Sequence, residues 1–251
     1  MRERIASGRR LIGTMLSEVF FPNISVILKN CGYDFVIIDC EHGPYDCSQV
    51  SLVVAMARAN GISAVVRIPE IRREPIIKYL DMGADGLLVP MVRNAADAAR
   101  VVDYVKYPPD GNRGIPISRA HSGYAPGDVE SYLKAANRHT AVLIQIELEG
   151  ALEDAEKIAA LPGVDALMVG PSDLSMDLGI FNRLSAPELL NAVSAVSSAA
   201  EKHGKSSGII TADRDLISAS VACGMNIICT GSEVRALSKG FAGSADEIRK
   251  M

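Results

Sequence analysis

Residues 141–173, AVLIQIELEGALEDAEKIAALPGVDALMVGPSD, hold two short apolar runs with a helix-period segment between them. AVLIQIE from Ala141 and DALMVG from Asp165 are near-continuous in apolar residues, as strands buried on both faces of a parallel sheet must be. LEDAEKIAAL, lying between them, has the spacing of a helix. Such a strand–helix–strand unit takes a right-handed crossover, and its repetition gives either a closed barrel or an open doubly wound sheet.

The unit recurs in both directions. Upstream stand LIGTML from Leu11, DFVIID from Asp34, SAVVRI from Ser63 and GLLVPM from Gly86; downstream stand SGIIT from Ser207 and NIICTG from Asn226. Helix-period segments such as CSQVSLVVAMARANG, REPIIKYLDMGA, NAADAARVVDYVKY and APELLNAVSAVSSAAEKHG alternate with these runs, several of them closing on Gly as helices do. Eight units in 251 residues predict a (β/α)8 TIM barrel, a single domain over residues 1–251. One stretch breaks the rhythm between Tyr107 and Thr140, where YPPDGNRGIPISRAHSGYAPGD precedes the short helical piece DVESYLKAANRH. A segment of that length is expected to be a functional loop or lid, or else a surface insertion without chemistry.

Apolar residues make up 48% and charged residues 22%, enough apolar surface for a large core. With 26 basic and 30 acidic residues and no basic run, a nucleic-acid partner is not expected. No segment approaches eighteen uninterrupted apolar residues, and MRERIASGRRLIGTM lacks the apolar stretch of a secretory signal, so the chain reads as cytoplasmic with no membrane partner. The five cysteines are odd in number and form no C-x-x-C pair, which predicts reduced, mostly buried thiols.

In a barrel the chemistry sits at the C-terminal ends of the strands, so polar residues there carry information. The second run ends in Asp39-Cys40-Glu41-His42-Gly43-Pro44, the third in Arg67, the fifth in Gln145 and Glu147, and the sixth leads into Gly170-Pro171-Ser172-Asp173. Glu147 and Asp173, one unit apart, would face the same mouth and could share a cation. Hard oxygen donors with coordination positions left open suit Mg²⁺ or Mn²⁺. Read singly, each carboxylate is equally a helix cap or a loop charge. His42 has the only side chain near that mouth that ordinarily titrates close to neutrality, whereas His121, His139 and His203 read as surface histidines. Arg67 interrupts an apolar strand and calls for an anion, either substrate or an internal partner such as Asp39 or Asp81.

These residues, in this order, resemble the HpcH/HpaI family of class II pyruvate-dependent aldolases, barrels of the phosphoenolpyruvate/pyruvate superfamily. The likeness covers nearly the whole chain and is carried by DFVIIDCEHGPYD, VVRIP, LDMGADGLLVPMV, YPPDGNRG, LIQIE and VGPSDLS. It implies an aldehyde-lyase that cleaves a 4-hydroxy-2-oxo acid to pyruvate and an aldehyde, or runs in reverse, with Mg²⁺, Mn²⁺ or Co²⁺ as cofactor. It implies His42 as base, Asp81 as the acid that orients it, Arg67 at the enolate, and Asp39 as a further active-site acid. Gln145 and Ser172 are implied in substrate binding, Glu147 as a metal ligand, and Asp173 in both roles. A homo-hexamer built as a trimer of dimers, with C-terminal helices (about residues 232–251) exchanged between subunits, is implied as well.

Two departures fall where substrates are chosen. Met15 stands where relatives carry a tryptophan, and Arg119, His121 and Tyr124 replace smaller residues. If the 107–140 segment folds over the mouth, Arg119 is expected to supply a cation for an acidic partner such as oxaloacetate or a carboxylate-bearing semialdehyde. Other readings stay open: a metal-enolate lyase or condensing enzyme acting on oxaloacetate or a CoA thioester, and a catalytically silent barrel that binds an acidic metabolite. A Schiff-base aldolase needs a lysine pointing inward from a strand, and every lysine falls on a predicted helix or its end.

Overall fold

Each apolar run becomes a parallel strand in the computed structural model, which describes residues 1–251: β1 (Leu11–Leu16), β2 (Phe35–Asp39), β3 (Ser63–Arg67), β4 (Gly86–Val89), β5 (Ala141–Ile146), β6 (Ala166–Val169), β7 (Ser206–Ile210) and β8 (Ile227–Ser232). They hydrogen-bond in sequence order, and β8 returns to β1 to close the barrel. Closure removes sheet edges and leaves one set of strand ends, at the C-terminal face, as the mouth.

Two apolar clusters hold this frame. One fills the barrel interior and includes Leu11, Met15, Phe35, Ile37, Val65, Leu88, Leu143, Met168, Ile227 and Cys229; the other, larger cluster packs strands against the outer helices. Side chains alternate across a strand, so the residues two places beyond the interior ones also point inward. Asp39 follows Ile37 in this way, Arg67 follows Val65, and Gln145 follows Leu143. The polar mouth is therefore the top layer of the same interior stack whose lower layers are apolar. Gly13 permits that packing, because a Cβ there would lie 2.2 Å from the ring of Phe35.

Two expectations about the connections are corrected. LEDAEKIAAL is not one helix but part of two, Glu149–Glu153 and Ala155–Ala160, broken at Asp154. The Asp154 carboxylate accepts the N–H of Ala95 at 3.0 Å, a tertiary bond that fixes the break. The segment after Tyr107 is not a lid over its own mouth. It joins the helix Ala95–Val105 to β5, a helix-to-strand connection, and such connections lie at the N-terminal face of the barrel. Arg58 donates to the Ala120 carbonyl at 3.1 Å and Arg113 pairs with Asp81 at 2.7 Å, holding the segment on that side.

The C-terminal helix Glu233–Arg249 buries only Glu233 and leaves Val234, Leu237, Phe241 and Ile248 exposed at helical spacing. No helix is long and apolar enough to cross a membrane.

Candidate active site

Arg67 organises the mouth. The residue is 7% exposed, and its guanidinium donates through Nε to Asp39 Oδ1 at 2.9 Å and through Nη2 to Asp39 Oδ2 at 2.7 Å. This two-pronged pair is possible because β2 and β3 place Asp39 and Arg67 directly opposite each other in register. Burial pushes the Asp39 carboxyl up, but the bonds from Arg67 outweigh it and hold the group below the usual carboxylate range. Asp39 Oδ1 also accepts the N–H groups of Glu41 at 3.1 Å and His42 at 3.3 Å, so it fixes the loop that carries the histidine. A third side chain joins them: Glu41 Oε2 lies 3.2 Å from Arg67 Nη1 and 3.8 Å from His42 Nε2.

Across the mouth, Glu147 is 2% exposed. Its Oε1 accepts the N–H of Met91 at 2.6 Å, and its Oε2 accepts a short bond from Gln145 Nε2. Met91 points its N–H there by adopting φ 54°, a left-handed conformation that is uncommon outside glycine and is held here by the surrounding structure. Burial pushes the Glu147 carboxyl up to about 7; the negative charges of Glu41 and Asp173 add to this, and the Met91 N–H opposes it. Gly170 completes the wall, since a Cβ there would sit 2.8 Å from both Gln145 Nε2 and Glu147 Oε2. Pro171 opens the helix Pro171–Asp177 and so places Ser172 and Asp173 in its exposed first turn.

Four carboxylates, Asp39, Glu41, Glu147 and Asp173, thus act on one another around the single guanidinium of Arg67. That surplus of negative charge, in a partly buried pocket, is the arrangement a divalent cation would neutralise. The buried Oε1 of Gln145, which has no hydrogen-bond partner, and the proton-retaining tendency of Glu147 fit the same group. No three His, Cys, Asp or Glu side chains gather as a closed metal cage, so two carboxylates would leave coordination positions for substrate and water.

Asp81 does not join this constellation within one chain. It ends the helix Arg73–Asp81, next to the start of β4 and so at the opposite face, where it pairs with Arg113 at 2.7 Å and lies 3.7 Å from His121. Within one chain, therefore, Asp81 stands away from His42. The His42 side chain, 71% exposed, has Glu41 as its one ionisable neighbour. Arg119 is also away from its own mouth: it lines a groove of about 670 Å³ along the helix Arg73–Asp81, together with Lys78, Asp81 and Tyr124. Met15 is where β1 predicts, inside the barrel and 7% exposed.

Sequence reasoning gave no role to Glu41, Met91, Gly170 or Glu233. Glu233 opens the C-terminal helix, and its carboxylate accepts the N–H groups of Ser17, Glu18 and Val19 at 2.9, 2.7 and 2.9 Å, which fixes the loop after β1 at the mouth. Glu41 and Gly170 stood in quoted motifs and could have been found there. The positive φ of Met91 and the long-range bonds of Glu233 leave no sequence signal.

A closed parallel barrel with an arginine and four carboxylates at its strand ends has the architecture of a TIM-barrel enzyme, its polar mouth at the C-terminal face. The family model for HpcH/HpaI aldolase/citrate lyase matches residues 17–239, and the chain belongs to that family. It is 34% identical over 231 residues to 5-keto-4-deoxy-D-glucarate aldolase of Klebsiella pneumoniae, covering 91% of this chain and 89% of that one. It is 30% identical over 238 residues to hydroxypyruvate/pyruvate aldolase of Roseobacter denitrificans, covering 94% and 91%. The HpcH/HpaI aldolase of Desulfitobacterium hafniense superposes with a TM-score of 0.94 at 32% identity, over 100% of this chain and 97% of that one. The protein is therefore a carbon–carbon lyase of aldolase type, from a family that is generally dependent on a divalent metal.

Proposed function

We propose that this mouth cleaves a 4-hydroxy-2-oxo acid to pyruvate and an aldehyde, or joins the two, with Mg²⁺ or Mn²⁺ held by Glu147 and Asp173. The observation that carries the reading is Glu147: a buried carboxylate pushed up to about 7, walled by Gly170 and facing the charge of Asp173. A carboxylate so placed is costly unless a cation meets it. Bound there, the metal would supply positive charge to the keto oxygen of the substrate.

The residues of the chain do the rest. Arg67, locked by Asp39, offers its remaining N–H groups as a fixed positive charge toward the developing enolate. Gln145 Oε1, which has no partner in the fold, can accept a bond from a substrate hydroxyl, and the Ser172 hydroxyl, in the exposed first turn of its helix, can donate to a substrate oxygen. His42 takes the proton of the 4-hydroxyl, the C3–C4 bond breaks, and its electron pair passes into the enolate of pyruvate while the 4-carbon leaves as an aldehyde. In the reverse direction the same imidazolium returns the proton. Asp39 serves by holding Arg67 and the His42 loop. An Asp81–His42 pair would have to form between two copies of the chain.

Assembly and location belong to the same proposal. The unpartnered stripe Val234, Leu237, Phe241 and Ile248 supports exchange of the C-terminal helix between subunits of a hexamer, and five unpaired thiols support a cytoplasmic location. The test of the chemistry is metal-dependent release of pyruvate from a panel of 4-hydroxy-2-oxo acids and oxaloacetate. Glu147→Ala and Asp173→Ala should abolish turnover and weaken Mn²⁺ binding while the fold survives. Full activity in chelator-treated wild type would overturn the metal-dependent reading.

A further inference from the structure

Three groups needed at this mouth meet at one oxygen. Glu41 Oε2 stands 3.2 Å from Arg67 Nη1 and 3.8 Å from His42 Nε2, on a side chain only 13% exposed. The backbone brings it there: Glu41 is the second residue past the end of β2, and its N–H is bonded back to Asp39 Oδ1. Arg67 and His42 do different work, one binding an anion and the other moving a proton. Arg67 is fixed by Asp39 yet keeps one nitrogen for a further partner, and the His42 ring has no other ionised neighbour. Asp39 occupies Nε and Nη2 of Arg67 but leaves Nη1, and it holds only the backbone N–H of His42. The imidazole itself is 71% exposed and has no hydrogen bond in the chain apart from this approach. A base that swings freely in solvent is a poor base, since proton transfer requires heavy atoms within hydrogen-bond reach in a fixed direction.

Resting on the aldolase reading above, we propose that Glu41 is the positioning residue of this site: its Oε2 holds Arg67 Nη1 in the free enzyme, yields it to the anionic substrate, and then orients His42 toward the hydroxyl. The exchange is chemically even-handed, one ion-pair contact with a carboxylate replaced by one with an anionic substrate oxygen. Glu41 touches no reacting atom and gains or loses no proton in this scheme.

A simple structural carboxylate and a metal ligand would behave differently from this. Glu41→Gln keeps the size of the side chain and removes its charge, so the mouth should still assemble. Because the substrate no longer competes with a carboxylate for Nη1, KM for 4-hydroxy-2-oxopentanoate should not rise, while kcat for cleavage should fall about ten- to hundredfold. Metal-dependent exchange of the pyruvate methyl protons with D₂O, which needs no 4-hydroxyl, should fall less than cleavage does, and Mn²⁺ affinity, which loses one of four nearby carboxylate charges, should fall by less than about tenfold. In the ¹⁵N spectrum the ring nitrogens of His42 should move in the variant, in the absence of substrate.

A kcat within about twofold of wild type, or a KM that rises while kcat holds, would overturn the proposal. So would a tenfold or greater loss of Mn²⁺ affinity, which would make Glu41 a metal ligand. A wild-type protein inactive on every 4-hydroxy-2-oxo acid would sink the aldolase reading by itself. The spectrum of His42 would still decide the role of Glu41, because unchanged ring-nitrogen shifts would show that the two side chains are uncoupled.

Discussion

Replacing Gly170 by alanine adds one methyl group at the place where the two halves of the site meet. Gly170 has φ −96° and ψ 86°, a backbone within reach of any residue, so the substitution carries no left-handed strain. In the unfolded chain alanine is stiffer than glycine, which by itself favours the variant by about 0.4–1 kcal/mol. The opposing term is contact. The new Cβ would lie 2.8 Å from Gln145 Nε2, 2.8 Å from Glu147 Oε2 and 3.0 Å from Glu147 Cβ. Ordinary contact needs about 3.5 Å, so the ends of both side chains must retreat by roughly half an ångström or more. Overpacking of this kind costs about 1–3 kcal/mol. The net loss of stability should be no more than about 2.6 kcal/mol, and the barrel should fold. The displacement falls on the carboxylate proposed to hold the metal, and a misplacement near 1 Å costs about a hundredfold in rate. Gly170→Ala should therefore lose about ten- to a hundredfold in kcat/KM for pyruvate release, with weaker Mn²⁺ binding and an unfolding midpoint lowered by no more than about 10 °C. Pyruvate release can be followed by coupled NADH oxidation and bound Mn²⁺ by electron paramagnetic resonance. Wild-type values of both would refute the claim that this glycine is there to leave room for Glu147.

His42→Ala should lower aldol cleavage by about 10²–10⁴ yet retain metal-dependent exchange of the pyruvate methyl protons in D₂O; an exchange rate that fell as far as cleavage would assign both proton transfers to His42. Glu233→Gln tests the clamp on the loop after β1. Burial pushes that carboxyl up, but the N–H groups of Val19, Glu18 and Ser17 outweigh it and hold the group below its usual value of 4.5. The folded state thus binds fewer protons than the unfolded one, so this stabilisation is present above about pH 4.5 and is lost as pH falls through the lowered value. The glutamine variant should lose about 1–3 kcal/mol at neutral pH and show a flatter decline in acid, read from urea unfolding at several pH values; parallel curves would reject the clamp. Phe241→Asp should dissociate the assembly without disturbing the barrel, and an unchanged mass by light scattering would show that the exposed stripe of the C-terminal helix is not an interface.

Much of the barrel was legible because its strands are buried on both faces. Runs such as DFVIID and AVLIQIE have no polar positions to spare until they reach the mouth, so each strand announces both its extent and its functional end. Asp39, Arg67, Gln145 and Glu147 could be picked out for that reason. Element order carries a second signal. Asp81 closes a helix and Arg119 lies in a helix-to-strand connection, and element order alone assigns both to the face opposite the mouth. The Asp81–His42 pair that the motif resemblance implies therefore requires two copies of the chain.

The sequence by itself determined the eight-unit barrel, the place of Asp39, Arg67, Gln145 and Glu147 at strand ends and the absence of an inward lysine, because each follows from local pattern and from the alternation of strand and helix. Only the tertiary structure decided who pairs with whom. The opposed register of β2 and β3 turns Asp39 and Arg67 into one unit; the left-handed Met91 aims a backbone N–H at Glu147; Glu233 reaches back to Ser17; and Gly170 shows itself as space rather than flexibility. Each of these depends on side chains or N–H groups from different strands meeting within about 3 Å. Such meetings are set by barrel closure and packing, which a linear pattern does not encode residue by residue.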